Sequence, residues 1–194
     1  MAFPQSDFWP IAIGFFGLGT NYFVWGGQAL FGLPASSPEV NRSIGMWGVW
    51  MGGFMQFITG VYLMVGLSWF PVYTHTAPLF MAAFAFTAYG VHWFAMGWRR
   101  YIGASDGPDG WMAIAFALVS VLGMLVFFKA GDVPVGILFI FLTLIYLTEI
   151  PTRLAGWKNG IRLVGVWQFL GAIWLMYLTY ATTFNISLLQ HWWL

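Results

Sequence analysis

Asn21, Gln56, His92, Thr143, Glu149 and Gln168 each stand inside a long apolar stretch of the chain. An ionised side chain stranded in hydrocarbon costs about 2.5–3.5 kcal/mol on insertion scales, so groups of this kind face a partner or a water-filled path. These six could hydrogen-bond a passing solute or tie helices together. They could not run a hydrolytic or redox step. No nucleophile stands beside a base, no glycine-rich phosphate loop occurs, and no His/Asp/Glu group has metal-ligand spacing. The histidines His75, His92 and His191 offer no intramembrane pair for a haem, and there is no cysteine. An enzyme, a metal site and a cofactor are therefore not expected. Glu149 could pair with Arg153 one turn on, or line a vestibule. A lone histidine such as His92 is more often a hydrogen-bonding tie between helices than a ligand.

The elements that position these residues follow from composition. Of 194 residues, 60% are hydrophobic, 21% aromatic and 7% charged, against about 25% charged in a soluble domain. Lipid must cover most of such a surface. A net charge of +1 leaves neither a basic nucleic-acid face nor an acidic tail. A spanning helix needs about 20 apolar residues, and the charges fall between six stretches of that size, at 8–31, 43–70, 77–98, 111–128, 133–150 and 163–184. The expected fold is all-α and integral to the membrane, one six-helix domain over 1–194. No basic residue precedes Arg42, so the first stretch reads as a retained helix and not a cleaved signal. Arg42, Arg99, Arg100, Arg153, Lys158 and Arg162 lie in the loops after helices one, three and five, and Lys129 alone at the other end. The positive-inside rule then places those loops in the cytoplasm and both termini outside. Gly48-Val-Trp50 recurs as Gly165-Val-Trp167, but in helices two and six, which a three-helix repeat would not equate.

Small and aromatic residues have two readings each. Gly14, Gly17 and Gly19 stripe helix one, and Gly48 and Gly52 form a GxxxG in helix two, with Gly53 beside it. They allow close helix packing inside a protomer, a subunit interface, or room for a narrow conduit. Most tryptophans fall near helix ends, including Trp192 and Trp193 in the tail after Gln190-His191, where an interfacial belt accounts for them. Phe84, Phe86, Tyr89, Phe139, Phe141 and Tyr146 lie mid-helix and serve lipid contact, core, or a slot that passes small planar solutes and rejects ions.

Helix three and its exit read His92-Trp-Phe94-Ala-Met-Gly-Trp98-Arg99-Arg-Tyr101. This resembles the amide/urea channel family, as do the Gly52-Gly53 pair and the spacing of Gln168 and Trp174. The resemblance implies a ring-shaped homo-hexamer in the cytoplasmic (inner) membrane, each protomer passing urea or short aliphatic amides. Gln168 stands where that family can have a carboxylate, and His75 is the one histidine of the short loop at 71–76. Met51-Gly-Gly-Phe-Met-Gln56-Phe-Ile-Thr-Gly60 and Ala85-Phe-Thr-Ala-Tyr89-Gly90-Val-His-Trp93 resemble motifs of the acetate/succinate transporter family, also six-helix and hexameric. That resemblance implies a hydrophobic constriction at Leu18, Tyr89 and Leu142, although the family's Asn-Pro-x-Pro entry motif is missing. The expectation is a passive channel for neutral amides or urea, with a path narrowed by Leu18, Asn21, Phe84, Tyr89, Leu142 and Tyr146. Glu149 and Gln168 would hydrogen-bond along it. The alternatives are a short-chain carboxylate transporter and an accessory subunit of a membrane complex.

Overall fold

The computed structural model describes residues 10–69, 73, 75–188 and 191–193, the side chains of 186 and 187 excepted. The described elements are six helices: α1 (Ile11–Phe31), α2 (Pro38–Ser68), α3 (Ala77–Ile102), α4 (Asp109–Lys129), α5 (Val133–Leu154) and α6 (Gly160–Ser187). The last five are long and apolar enough to cross a membrane. α1 carries Asn21, Gln28 and five glycines among its apolar residues.

Helix ends differ from the apolar stretches because capping, not hydropathy, sets them. Ser37, Thr76 and Asp132 each accept an N–H from the first turn, at 3.2, 3.4 and 3.1 Å, with a proline at the first or second helical position. α2 consequently begins at Pro38 rather than 43. α3 runs past Trp98 to carry Arg99 and Arg100 in its last turn, where the helix dipole favours cations, and stops at Gly103 with φ 72°. α5 continues through Pro151 to Leu154, and α6 extends to Gly160–Ser187. Residues 8–9 and 70 of the expected stretches lie outside the described residues.

Consecutive helices pack side by side and α6 closes on α1, so the six form a ring. The α2–α3 seam is the most extensive, followed by the α1–α6 seam, and the α3–α4 seam is the thinnest between neighbours. Glycine permits the tight seams. A Cβ on Gly97 would stand 2.6 Å from the Val49 backbone nitrogen, and one on Gly90 would stand 2.5 Å from that of Phe57. The α2–α3 contact is thus backbone against backbone, the close approach that dispersion needs where lipid removes any hydrophobic drive. Gly48 and Gly52 face Gly97, Trp25, Asn21 and Trp93 of the same chain. They lie in a π-helical segment of α2, Gly48–Phe54, whose extra residue per turn re-aims the side chains on either side of it.

The packing gives a contrast that thermal unfolding in detergent can measure. Gly97→Ala forces a methyl onto backbone and should cost about 2 kcal/mol or more. Gly27→Ala, with nothing within 4 Å of its added Cβ, should be neutral or slightly stabilising.

Candidate solute path

Side chains that reach the axis of the ring come chiefly from α1, α3 and α5, each at helical spacing. Leu18, Tyr22 and Trp25 form the stripe on α1, Tyr89 and Trp93 on α3, and Leu142, Tyr146 and Glu149 on α5; all are buried. The stripes enclose two cavities entered from opposite ends. At the end where α1 begins and α6 finishes, a cavity of about 430 Å³ is walled by Phe15, Leu18, Phe86, Tyr89, Leu138 and Leu142, with Gln56 in its wall. Asp132 lies at this end, where burial pushes its carboxyl up from the ordinary value against the lowering effect of the Val135 N–H it accepts. At the other, basic end, a wider and more polar cavity of about 770 Å³ is walled by Trp25, Gln28, Arg99, Arg100, Glu149, Arg153 and Gln168.

Between the cavities stands a closed layer. From Leu18 to Trp25, and from Leu142 to Glu149, the helices rise about 10 Å at 1.5 Å per residue. Tyr22, Trp93 and Tyr146 fill that interval, each 2% exposed or less. Trp93 meets Tyr22 and Trp25 edge-on at 5.9 and 5.0 Å between ring centroids. Tyr89 and Tyr146 stack at 6.0 Å with 8° between planes. The Tyr89 hydroxyl is anchored to Ser120 of α4 at 2.8 Å, which itself donates to the Phe116 carbonyl at 2.7 Å. The rings of this layer interlock across three helices. The layer is polar because Asn21, fully buried, has neither amide atom hydrogen-bonded, and the Trp93 indole N–H and the Gln56 Oε1 also lack partners. Buried polar groups are rarely left so. Here they border the route between two vestibules, where a solute could satisfy them.

Most of the residues expected at the site gather here, with one clear exception. Leu18, Asn21, Tyr89, Leu142 and Tyr146 lie at the axis, and Glu149 and Gln168 border the basic-end cavity. Phe84 does not. It is 48% exposed on the outer side of α3, two residues from Phe86, which faces the cavity. Positions 84 and 86 lie about 200° apart on a helix, so both cannot face inward. Glu149 meets both expectations raised for it, lying 3.7 Å from Arg153 while lining the vestibule. His92 makes no hydrogen bond to another helix among the described residues, and its ring packs among Trp93, Phe116 and Tyr146.

The helix-three motif is dispersed rather than convergent. Phe94 packs on Phe57, Trp98 stacks on Tyr101 with 58% of its surface exposed, and Arg99 pairs with Asp109 of α4 at 2.8 Å. Tyr22, Trp25 and Trp93 were missed as site residues. The signal for them lies in the chain, since they continue the 3.6-residue stripes begun by Leu18 and Tyr89. The C-terminal tail folds back on α6: the Tyr177 hydroxyl donates to the Trp193 carbonyl at 2.9 Å, and Asn185 pairs with the Trp192 backbone at 2.7 and 2.9 Å.

These features define a multi-pass helical membrane bundle with two opposed cavities inside one chain. Among solved structures, the bacterial acetate channel SatP superimposes on 92% of this chain and 93% of its own with a TM-score of 0.69, at 18% identity. The two share a fold. No family model and no curated protein matches the sequence. Of the two resemblances read in the sequence, the acetate/succinate one is the better backed by this fold.

Because the chain lacks cysteine, single introduced thiols report access directly. Leu79→Cys, in the wall of the smaller cavity, should react with a charged, impermeant thiol reagent added outside sealed vesicles. Ala29→Cys, in the basic-end cavity, should react only from within. Phe84→Cys should stay unlabelled from both sides. The same labelling checks the orientation expected from the loop charges.

Proposed function

We propose that this chain is a passive channel for small solutes in the cytoplasmic membrane, with short-chain monocarboxylates as its permeant class. The observation that carries the reading is the closed layer between two vestibules, with hydrogen-bonding groups left unpaired inside an otherwise apolar constriction. Leu18, Tyr89 and Leu142 strip water from a small solute as it enters from the termini end. The Trp93 N–H and the Asn21 amide offer donors in place of that water, and a carboxylate or carboxylic acid group accepts them. A larger or more hydrated solute would have to shed water without compensation. The fold shared with an acetate channel supports the same reading.

A second reading, transport of urea or short aliphatic amides, draws on a different feature of the same layer. Asn21 Oδ1 and Gln56 Oε1 are unpaired acceptors, and an amide N–H would satisfy them. The path lies within one protomer under either reading. Assembly into a hexameric ring, which both resemblances imply, would array such paths side by side without completing any of them.

Stopped-flow light scattering and radiotracer uptake in proteoliposomes separate the two. Acetate entry well above protein-free vesicles, with urea and acetamide near background, supports the carboxylate channel; the reverse result hands the function to neutral amides. Within the carboxylate reading, Trp93→Phe keeps the ring and deletes the donor, and should slow acetate entry about tenfold, the worth of one hydrogen bond to a charged group. Leu142→Ala should raise flux several-fold and admit larger acids.

A further inference from the structure

Four arginines surround the basic-end cavity, and they are not equivalent. Arg99 is paired with Asp109, and Arg153 with Asp106 and Glu149. Arg42 is exposed and lies in the field of Glu39, one turn before it on α2. Arg100 has no carboxylate among the described residues. Its guanidinium is held by neutral acceptors, donating from Nη2 to Gln28 Oε1 and Asn41 Oδ1 at 2.9 Å each and from Nε to Asn41 Oδ1 at 3.2 Å. The indole of Trp25 lies against it, 4.6 Å from ring centroid to the guanidinium carbon. These contacts use Nε and Nη2, so Nη1 with its two N–H groups is the edge left for the cavity that Arg100 helps to wall.

We propose that Arg100 is the anion-binding residue of the basic-end vestibule, taking a carboxylate of the permeant on its Nη1 edge. The proposal rests on the carboxylate reading above and adds the site at which the anion is held before or after the constriction. The physical argument is one of compensation. Amide oxygens fix a guanidinium's orientation but do not neutralise it, and Trp25 excludes water from one of its faces. A half-buried cation in that state gains more from an incoming anion than one already ion-paired. The placement also suits the route. Trp25 belongs both to the wall that Arg100 packs on and to the α1 stripe that continues into the closed layer, so an anion on Arg100 sits at the inner mouth of the constriction. A neutral amide gains little from the same site, which makes the vestibule selective where the apolar outer cavity is not.

The decisive variant is Asn41→Asp. It keeps the shape that holds Arg100 in place and supplies the missing carboxylate, so it neutralises the site without unpacking it. Arg100→Gln removes the charge outright, and Arg100→Lys retains it. Two readouts are taken on purified full-length protein: ¹³C-acetate line broadening in detergent, and the acetate concentration that half-saturates uptake into proteoliposomes, with acetamide as the neutral control. Asn41→Asp and Arg100→Gln should each weaken acetate binding and raise the half-saturating concentration about tenfold, with acetamide uptake unchanged and Arg100→Lys weakened less than Arg100→Gln. Wild-type binding and half-saturation in Asn41→Asp, in protein that elutes and melts like the parent, would overturn the site while leaving acetate permeation standing. Arg100-dependent binding without any acetate flux would keep the site and overturn the permeation reading. Absence of acetate binding to the wild-type protein would overturn the site.

Discussion

The whole architecture depends on one constraint: hydrocarbon offers no hydrogen bonds, so every polar side chain of a chain this apolar must be turned inward or out to the two ends. α1 shows the consequence most directly. It carries Asn21 and Gln28 and cannot face lipid along its length, so it is packed against α2 and α6 with its polar side toward the axis. Close approach makes this possible, because the glycines of α1 and α2 remove the side chains that would hold the helices apart. The odd-numbered helices then supply the axis, and large apolar residues such as Trp50, Leu118, Leu125 and Ile173 cover the outside.

The two ends of the axis solve the polar problem differently. At the basic end, charges are matched across helices: Arg153 of α5 reaches Asp106 in the α3–α4 loop, and Arg99 of α3 reaches Asp109 of α4. Removing one member of such a half-buried pair would leave the other uncompensated, so these contacts brace the wide vestibule and keep it open. The termini end is instead lined mostly by aliphatic and aromatic groups, with Gln56, Thr76, Thr182, Asn185 and the capping Asp132 as polar members. The axis therefore opens into an apolar funnel at one end and a charged chamber at the other. The layer between them leaves the Asn21 amide and the Trp93 indole N–H without partners.

The comparison with the acetate channel bears on fold and not on selectivity, since at 18% identity the side chains that choose a permeant are free to differ. Selectivity in this chain has to be argued from its own groups: ring stacking that sets the bore, unpaired donors and acceptors within it, and the charge of the chamber behind it. The helix-three motif that favoured an amide channel spreads over the outer face, a neighbouring helix and an ion pair, with Arg99 and Tyr101 in the wall of the basic-end cavity.

The sequence alone was enough for the membrane class and the six helices, because these follow from summed hydropathy and the types of residue present. It also marked most axial residues, since Leu18, Asn21, Tyr89, Leu142 and Tyr146 recur at helical spacing among apolar neighbours. Which face each helix presents was beyond it: a helix that is apolar all round has no amphipathic signature, so Phe84 and Phe86 look alike until α3 is seated against its neighbours. Helix ends were likewise decided by caps at Ser37, Thr76 and Asp132, and by the proline and glycine beside them. The pairing of Arg153 with Asp106, the stack on Tyr146 and the uncompensated guanidinium of Arg100 join residues far apart in the chain. Those were decided only when packing fixed which helices are neighbours, because contact at a distance in sequence is set by the approach of whole helices and not by any local spacing.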